Sequence, residues 1–98
     1  MSLAEIQAEH RRLSILRLLT DAPGYAANES ILDQALDGVG LPASRDQVRA
    51  DLAWLAEQGL AVTEAVGDLT VARVTLRGID VARGDAVVPG VKRPSPRG

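Results

Sequence analysis

Between Ser44 and Gln58 the sequence SRDQVRADLAWLAEQ spaces side chains that could read a nucleic acid. At about 100° per residue, Val48, Leu52 and Leu55 form one apolar stripe of a helix. Asp46, Ala50, Ala53 and Glu57 face the opposite way, with Gln47 and Arg49 on the two flanks of that outer face. Gln47 has the amide to pair with adenine, and Arg49 the planar fork to pair with guanine. Ala50 and Ala53 would let a backbone approach a groove or touch a thymine methyl. Ser44 and Arg45, at the helix start, suit phosphate contacts. A second reading stays open: an ordinary solvated face, on which Asp46 and Glu57 repel phosphates.

Other chemistries find little material. The chain has no Cys and one His, which leaves no thiolate site, no His cluster for a metal and no nucleophile with its base and orienting group. Asp33 and Asp37 lie one turn apart, but on a face read as exposed. We therefore expect no enzyme, no cofactor and no metal. Arg73 could reach a phosphate if it points outward, yet the acidic turn Gly67-Asp68 beside it favours a structural role for that hairpin. Lys92, Arg93 and Arg97 lie among prolines. They fit an arm on nucleic acid, a segment lying across a partner, or a disordered solubilising end.

These residues need a frame. Ser44 and Gln47 form a Ser-x-x-Gln capping box, and Gly59 is a natural helix terminator. Two short runs follow, Leu60 to Val66 and Leu69 to Val74, around Gly67-Asp68, a two-residue hairpin signal. Thr75 can cap a last helix from Leu76 to about Arg83, closed by Gly84. Upstream, Asn28 caps a helix whose Ile31, Leu32, Ala35, Leu36 and Val39 read as a buried face. A first helix spans about Leu3 to Thr20, before Pro23-Gly24. It has two apolar stripes, and the second, through Leu3, Ile6, His10 and Leu13, predicts a homodimer face. Tyr25 is expected to anchor its loop on the body, Trp54 to cover an edge of the core, and Arg11 and Arg12 to form surface ion pairs.

The fold class that results is α+β, mainly α: a winged helix-turn-helix of three helices, a two-stranded antiparallel wing and a short C-terminal helix. Residues 1–86 form that domain, and residues 87–98 a Pro-rich basic tail. Charge tempers a nucleic-acid role. The chain carries −2, and the tail's three cations without an acid leave −5 on residues 1–86. No apolar run approaches the roughly 18 residues of a membrane span. Glu5 and Glu9 interrupt any leader-like segment, so a cytoplasmic protein without a membrane partner is expected.

Gly59-Leu60 after the third helix, then Val74-Thr75 and Gly78 after the wing, resemble signposts of MarR- and ArsR-type regulators. More narrowly, EIQAEHRRLSILRLL (5–19), APGYAANESIL (22–32), SRDQVRADLAWLAEQGL (44–60) and VPGVKRPSPRG (88–98) resemble a family of small winged-helix proteins of Mu-like phages and prophages, often labelled ArsR-type transcriptional regulators. That resemblance implies a dimeric regulator of phage or prophage genes in the host cytoplasm, acting on double-stranded DNA. The alternative it leaves is a protein-interaction module that meets another phage protein. The likeness stops short of metal-sensing ArsR repressors, whose Cys and His clusters have no counterpart here.

Overall fold

The structure, a computed structural model, describes residues 1–95. Four helices and three strands follow in the order α1 (Leu3–Asp21), β1 (Ala26–Asn28), α2 (Glu29–Gly38), α3 (Arg45–Glu57), β2 (Ala61–Val66), β3 (Leu69–Val74) and α4 (Leu76–Arg83). The fold is thus α+β and mainly helical, compatible with a small winged-helix-like arrangement. The sheet is antiparallel with strand order β1-β3-β2. β1 makes it three-stranded rather than the two-stranded wing expected. Ala26, Ala27 and Asn28 pair with Arg73, Ala72 and Val71. Three residues with no β-branched member give no strand pattern to read; the pairing comes from α1 and α2 delivering the segment to the free side of β3.

Side-chain caps set most helix starts. Asn28 Oδ1 accepts from the Ile31 amide at 2.9 Å. Ser44 Oγ accepts from the Gln47 amide at 3.1 Å, and Gln47 Oε1 from the Ser44 amide at 3.0 Å, which completes the capping box. Thr75 Oγ1 accepts from the Gly78 amide at 3.1 Å. α3 ends at Gly59 with φ 73°. There the amide of Leu60 reaches the Leu55 carbonyl and that of Gly59 the Ala56 carbonyl, satisfying the last carbonyls as the chain turns into β2.

The core is aliphatic. Ile15, Leu16 and Leu19 of α1 meet Leu32 and Leu36 of α2, Val48, Leu52 and Leu55 of α3, and Ala72 and Val74 of β3. α4 closes on it through Val81, and Gly78 sits so near the α3–β2 junction that a Cβ would lie 2.1 Å from the Leu60 carbonyl oxygen. On α2 the buried face is narrower than its pattern: Ile31 and Val39 stand more than half exposed. Tyr25 is also 52% exposed, at φ 59°, so it does not anchor its loop. That loop is held instead by Arg73, whose guanidinium donates to the Gly24 carbonyl.

The described part of the tail docks on its own chain. Val88 and Val91 are buried in the core cluster. The Lys92 amide donates to the Glu9 carbonyl, and Arg12 Nη1 donates to the Gly90 carbonyl at 3.0 Å. Gly90 lies against the Trp54 ring, where a Cβ would approach to 2.5 Å. The segment expected to lie across a partner or to wander is, up to Ser95, part of the fold.

Candidate nucleic-acid interface and its charge balance

On α3 the outer face is present as predicted. Asp46, Gln47, Arg49, Ala50, Ala53 and Glu57 are exposed, and Val48, Leu52 and Leu55 face the core. What the helix can offer a phosphate backbone is decided by Glu29, the first residue of α2. Glu29 is completely buried. Its Oε2 accepts from Arg49 Nε at 2.6 Å, and Arg45 Nη1 lies 3.6 Å from the same oxygen. Its Oε1 accepts from the Thr70 amide of β3 at 2.7 Å. One carboxylate thus ties α2, α3 and β3 together. The Thr70 hydrogen bond, and then Arg49 and Arg45, hold its pKa below the ordinary glutamate value against the opposing effect of burial.

The two α3 arginines named as DNA-contacting are engaged by these pairs. Arg45 also approaches Asp33, Nε to Oδ2 at 3.4 Å. The Arg49 pKa is raised, first by the hydrogen bond and charge of Glu29, and further by Asp46 and Asp68. So the one arginine placed to read a base stands among three carboxylates. From Glu29 to Glu57 the sequence holds six acids against these two arginines, a net −4, of which Asp51 is offset by α1. Gln47 is also committed: its Oε1 serves the capping box, and the two-point adenine contact requires that oxygen.

The remaining candidates lie apart from α3. Ala72 and Val74 face the helices and are buried, so Arg73, between them, projects from the opposite face of the sheet. Lys92 and Arg93 sit in the docked tail, with Lys92 beside Glu9 of α1; Arg97 lies outside the described residues. On the predicted dimer stripe, Leu3 and Ile6 are exposed and His10 is half-buried, but Leu13 belongs to the core.

Arg11 and Arg12 form ion pairs, as expected, but on a buried carboxylate rather than at the surface. Arg11 Nε donates to Asp51 Oδ2 at 2.7 Å and Arg12 Nε to Oδ1 at 3.2 Å, with Asp51 2% exposed. The Arg12 guanidinium also stacks 4.2 Å from the Trp54 ring centre. Trp54 thus covers a core edge, as its place on the wheel suggests. A signal existed for both carboxylates. Asp51 shares the stripe of Val48, Leu52 and Leu55, and Glu29 that of Leu32 and Leu36. An acid at a core position of a helix requires a buried cation or donor.

The other face of the sheet carries a different character. Val62, Glu64 and Val66 of β2 and Leu69, Val71 and Arg73 of β3 project outward; Val62 is 61% and Val66 53% exposed. Among the described residues no group of three His, Cys, Asp or Glu could hold a metal ion, and no helix is long and apolar enough to cross a membrane.

Fold and surface together define a small, mainly helical α+β protein with an acidic α2–α3 region and a sheet face on which valines flank Glu64 and Arg73. The chain is 52% identical over 93 residues to the uncharacterized protein gp26 of Escherichia phage Mu, covering 95% of this chain and 96% of gp26. It is 47% identical over 78 residues to an uncharacterized protein of Haemophilus influenzae, covering 79% of this chain and 76% of that protein. The chain belongs to the family of Mu gp26. No family model matches it, and no solved structure does.

Proposed function

We propose that this chain is a phage-type protein-interaction module on a winged-helix frame, acting through its surfaces on other protein chains rather than by reading DNA. The observation that carries this reading is the Glu29 cluster: both arginines of α3 are bound to carboxylates of their own chain, and Arg49 is ringed by Glu29, Asp46 and Asp68. A phosphate backbone would have to displace or outbid a buried carboxylate while approaching a surface of its own sign. The exposed valines of β2 supply what a protein partner would bury.

Capture tests the proposal. Immobilised protein is exposed to the products of a Mu-like phage lysate, alongside Val62→Asp and Asp68→Lys variants. Capture of a defined phage protein that is lost in either variant is the expected result. Equal capture by all three proteins would remove both surfaces from the interface and contradict the reading.

The DNA-regulator reading keeps one observation of its own. Ala50 and Ala53 leave the outer face of α3 low enough to enter a major groove, and Glu29 holds Arg49 in a fixed position. Under that reading Arg49→Ala costs about 1–3 kcal/mol at a cognate site and relaxes preference at one base position.

A further inference from the structure

We infer that the open edge of β2 is occupied by a second copy of this chain, the two sheets joining across a two-fold axis into one six-stranded antiparallel sheet. The inference rests on the interaction reading above and names its partner.

Strand order β1-β3-β2 leaves β2 with a neighbour on one side only. Val66 and Leu69 close the two-residue turn and form a hydrogen-bonded pair. Counting from them, the backbone groups of Ala61, Thr63 and Ala65 point to the open side. No backbone hydrogen bond from another described element reaches these three residues. Exposed edges are ordinarily protected by Lys, Pro, a bulge or a covering segment. Ala61–Val66 has none of these: its sequence is AVTEAV, with Glu64 as the single charge, and it pairs without a bulge along its length.

Charge selects a second copy as the occupant. Glu64 and Arg73 project from the same face, carry opposite charge and form no ion pair among the described residues, Arg73 donating instead to the Gly24 carbonyl. With Thr63 opposite Thr63 on the axis, Val62 of one copy lies opposite Glu64 of the other. In-chain, Val62 pairs with Arg73 and Glu64 with Val71. The row across the junction then reads Arg73, Val62, Glu64 of the second copy and Val71 of the second copy, and the symmetry repeats it in reverse. Strands lie about 4.8 Å apart, so Arg73, on releasing the Gly24 carbonyl, needs to reach over a single valine to meet that carboxylate. The same register places the two Val62 side chains diagonally across the axis from one another.

Sedimentation velocity on the full chain across a concentration series tests this, with circular dichroism confirming that each variant is folded. The wild type is expected to dimerise at micromolar concentration. Glu64→Arg and Arg73→Glu should each weaken the dimer by about tenfold or more, and the double exchange should restore it, as reciprocal charge pairs do. Thr63→Pro removes an edge donor and leaves the β3 ladder intact, so it should give a folded monomer. A wild type that stays monomeric, or a dimer indifferent to Thr63→Pro and to both charge reversals, would overturn the inference. A monomer that still captures a phage protein through Val62 overturns the second copy alone. An edge-dependent dimer that retains one DNA motif at physiological salt preserves it and overturns the interaction reading.

Discussion

Two carboxylates, Glu29 and Asp51, organise this molecule at the scale of single residues. Each sits at a core position of a helix and is neutralised by a pair of arginines from elsewhere in the chain. Removing one member of a buried pair leaves the other charged and unpaired, which costs far more than the pair contributes. We therefore expect Asp51→Ala to lower stability by about 3–5 kcal/mol in chemical denaturation, since Arg11 would remain buried without an acceptor. Glu29 gives a pH signature. Its folded pKa is lowered, so it stabilises the protein above the unperturbed value of 4.5 and loses that contribution as pH falls through the lower folded value. The apparent Tm should drop on acidification below pH 4.5 in the wild type, more steeply than in Glu29→Gln. Glu29→Gln can still accept from the Thr70 amide but cannot neutralise Arg49, so it isolates the ionic part of the cluster.

At the scale of elements, close approaches carry the architecture. A methyl at position 78 would meet the Leu60 carbonyl, so Gly78→Ala should force α4 off the α3–β2 junction and cost about 1–3 kcal/mol in a denaturant titration. The tail behaves as an element too. Truncation after Ala86 removes Val88 and Val91 from the core and uncovers Trp54, and each valine burial contributes about 1.5–3 kcal/mol. The truncated protein should melt at lower temperature, with the Trp54 fluorescence shifted to the red. Helix boundaries and the hairpin were legible because they rest on local chemistry: the Ser44–Gln47 box, the Asn28 and Thr75 caps, Gly59 and the Gly67-Asp68 turn. β1 was not legible, because its pairing is a property of where α1 and α2 leave the segment. The tail's docking was not either, because Val88 and Val91 are too few to show a period. On α3 the outward residues could be listed from the wheel, but not the fate of their charges. Glu29 precedes Arg49 by 20 residues and meets it only when α2 packs on α3.

At the scale of the whole molecule, charge is segregated by pairing rather than by composition. A net −2 is compatible with a DNA-binding protein if its arginines gather on one free surface. Here Arg11 and Arg12 are bound to Asp51, Arg45 and Arg49 to Glu29, and Arg73 stands across the sheet from α3. The outer face of α3 therefore presents acids beside its paired arginines, and the sheet exposes Val62 and Val66. The most direct test is retention of random genomic fragments by the wild-type protein at near-physiological salt, with the retained DNA sequenced and Glu29→Gln run in parallel. We expect the wild type to retain no enriched motif, and Glu29→Gln, with Arg45 and Arg49 released, to gain salt-sensitive and sequence-independent retention. One motif enriched by the wild type, and lost in Arg49→Ala, would contradict the account.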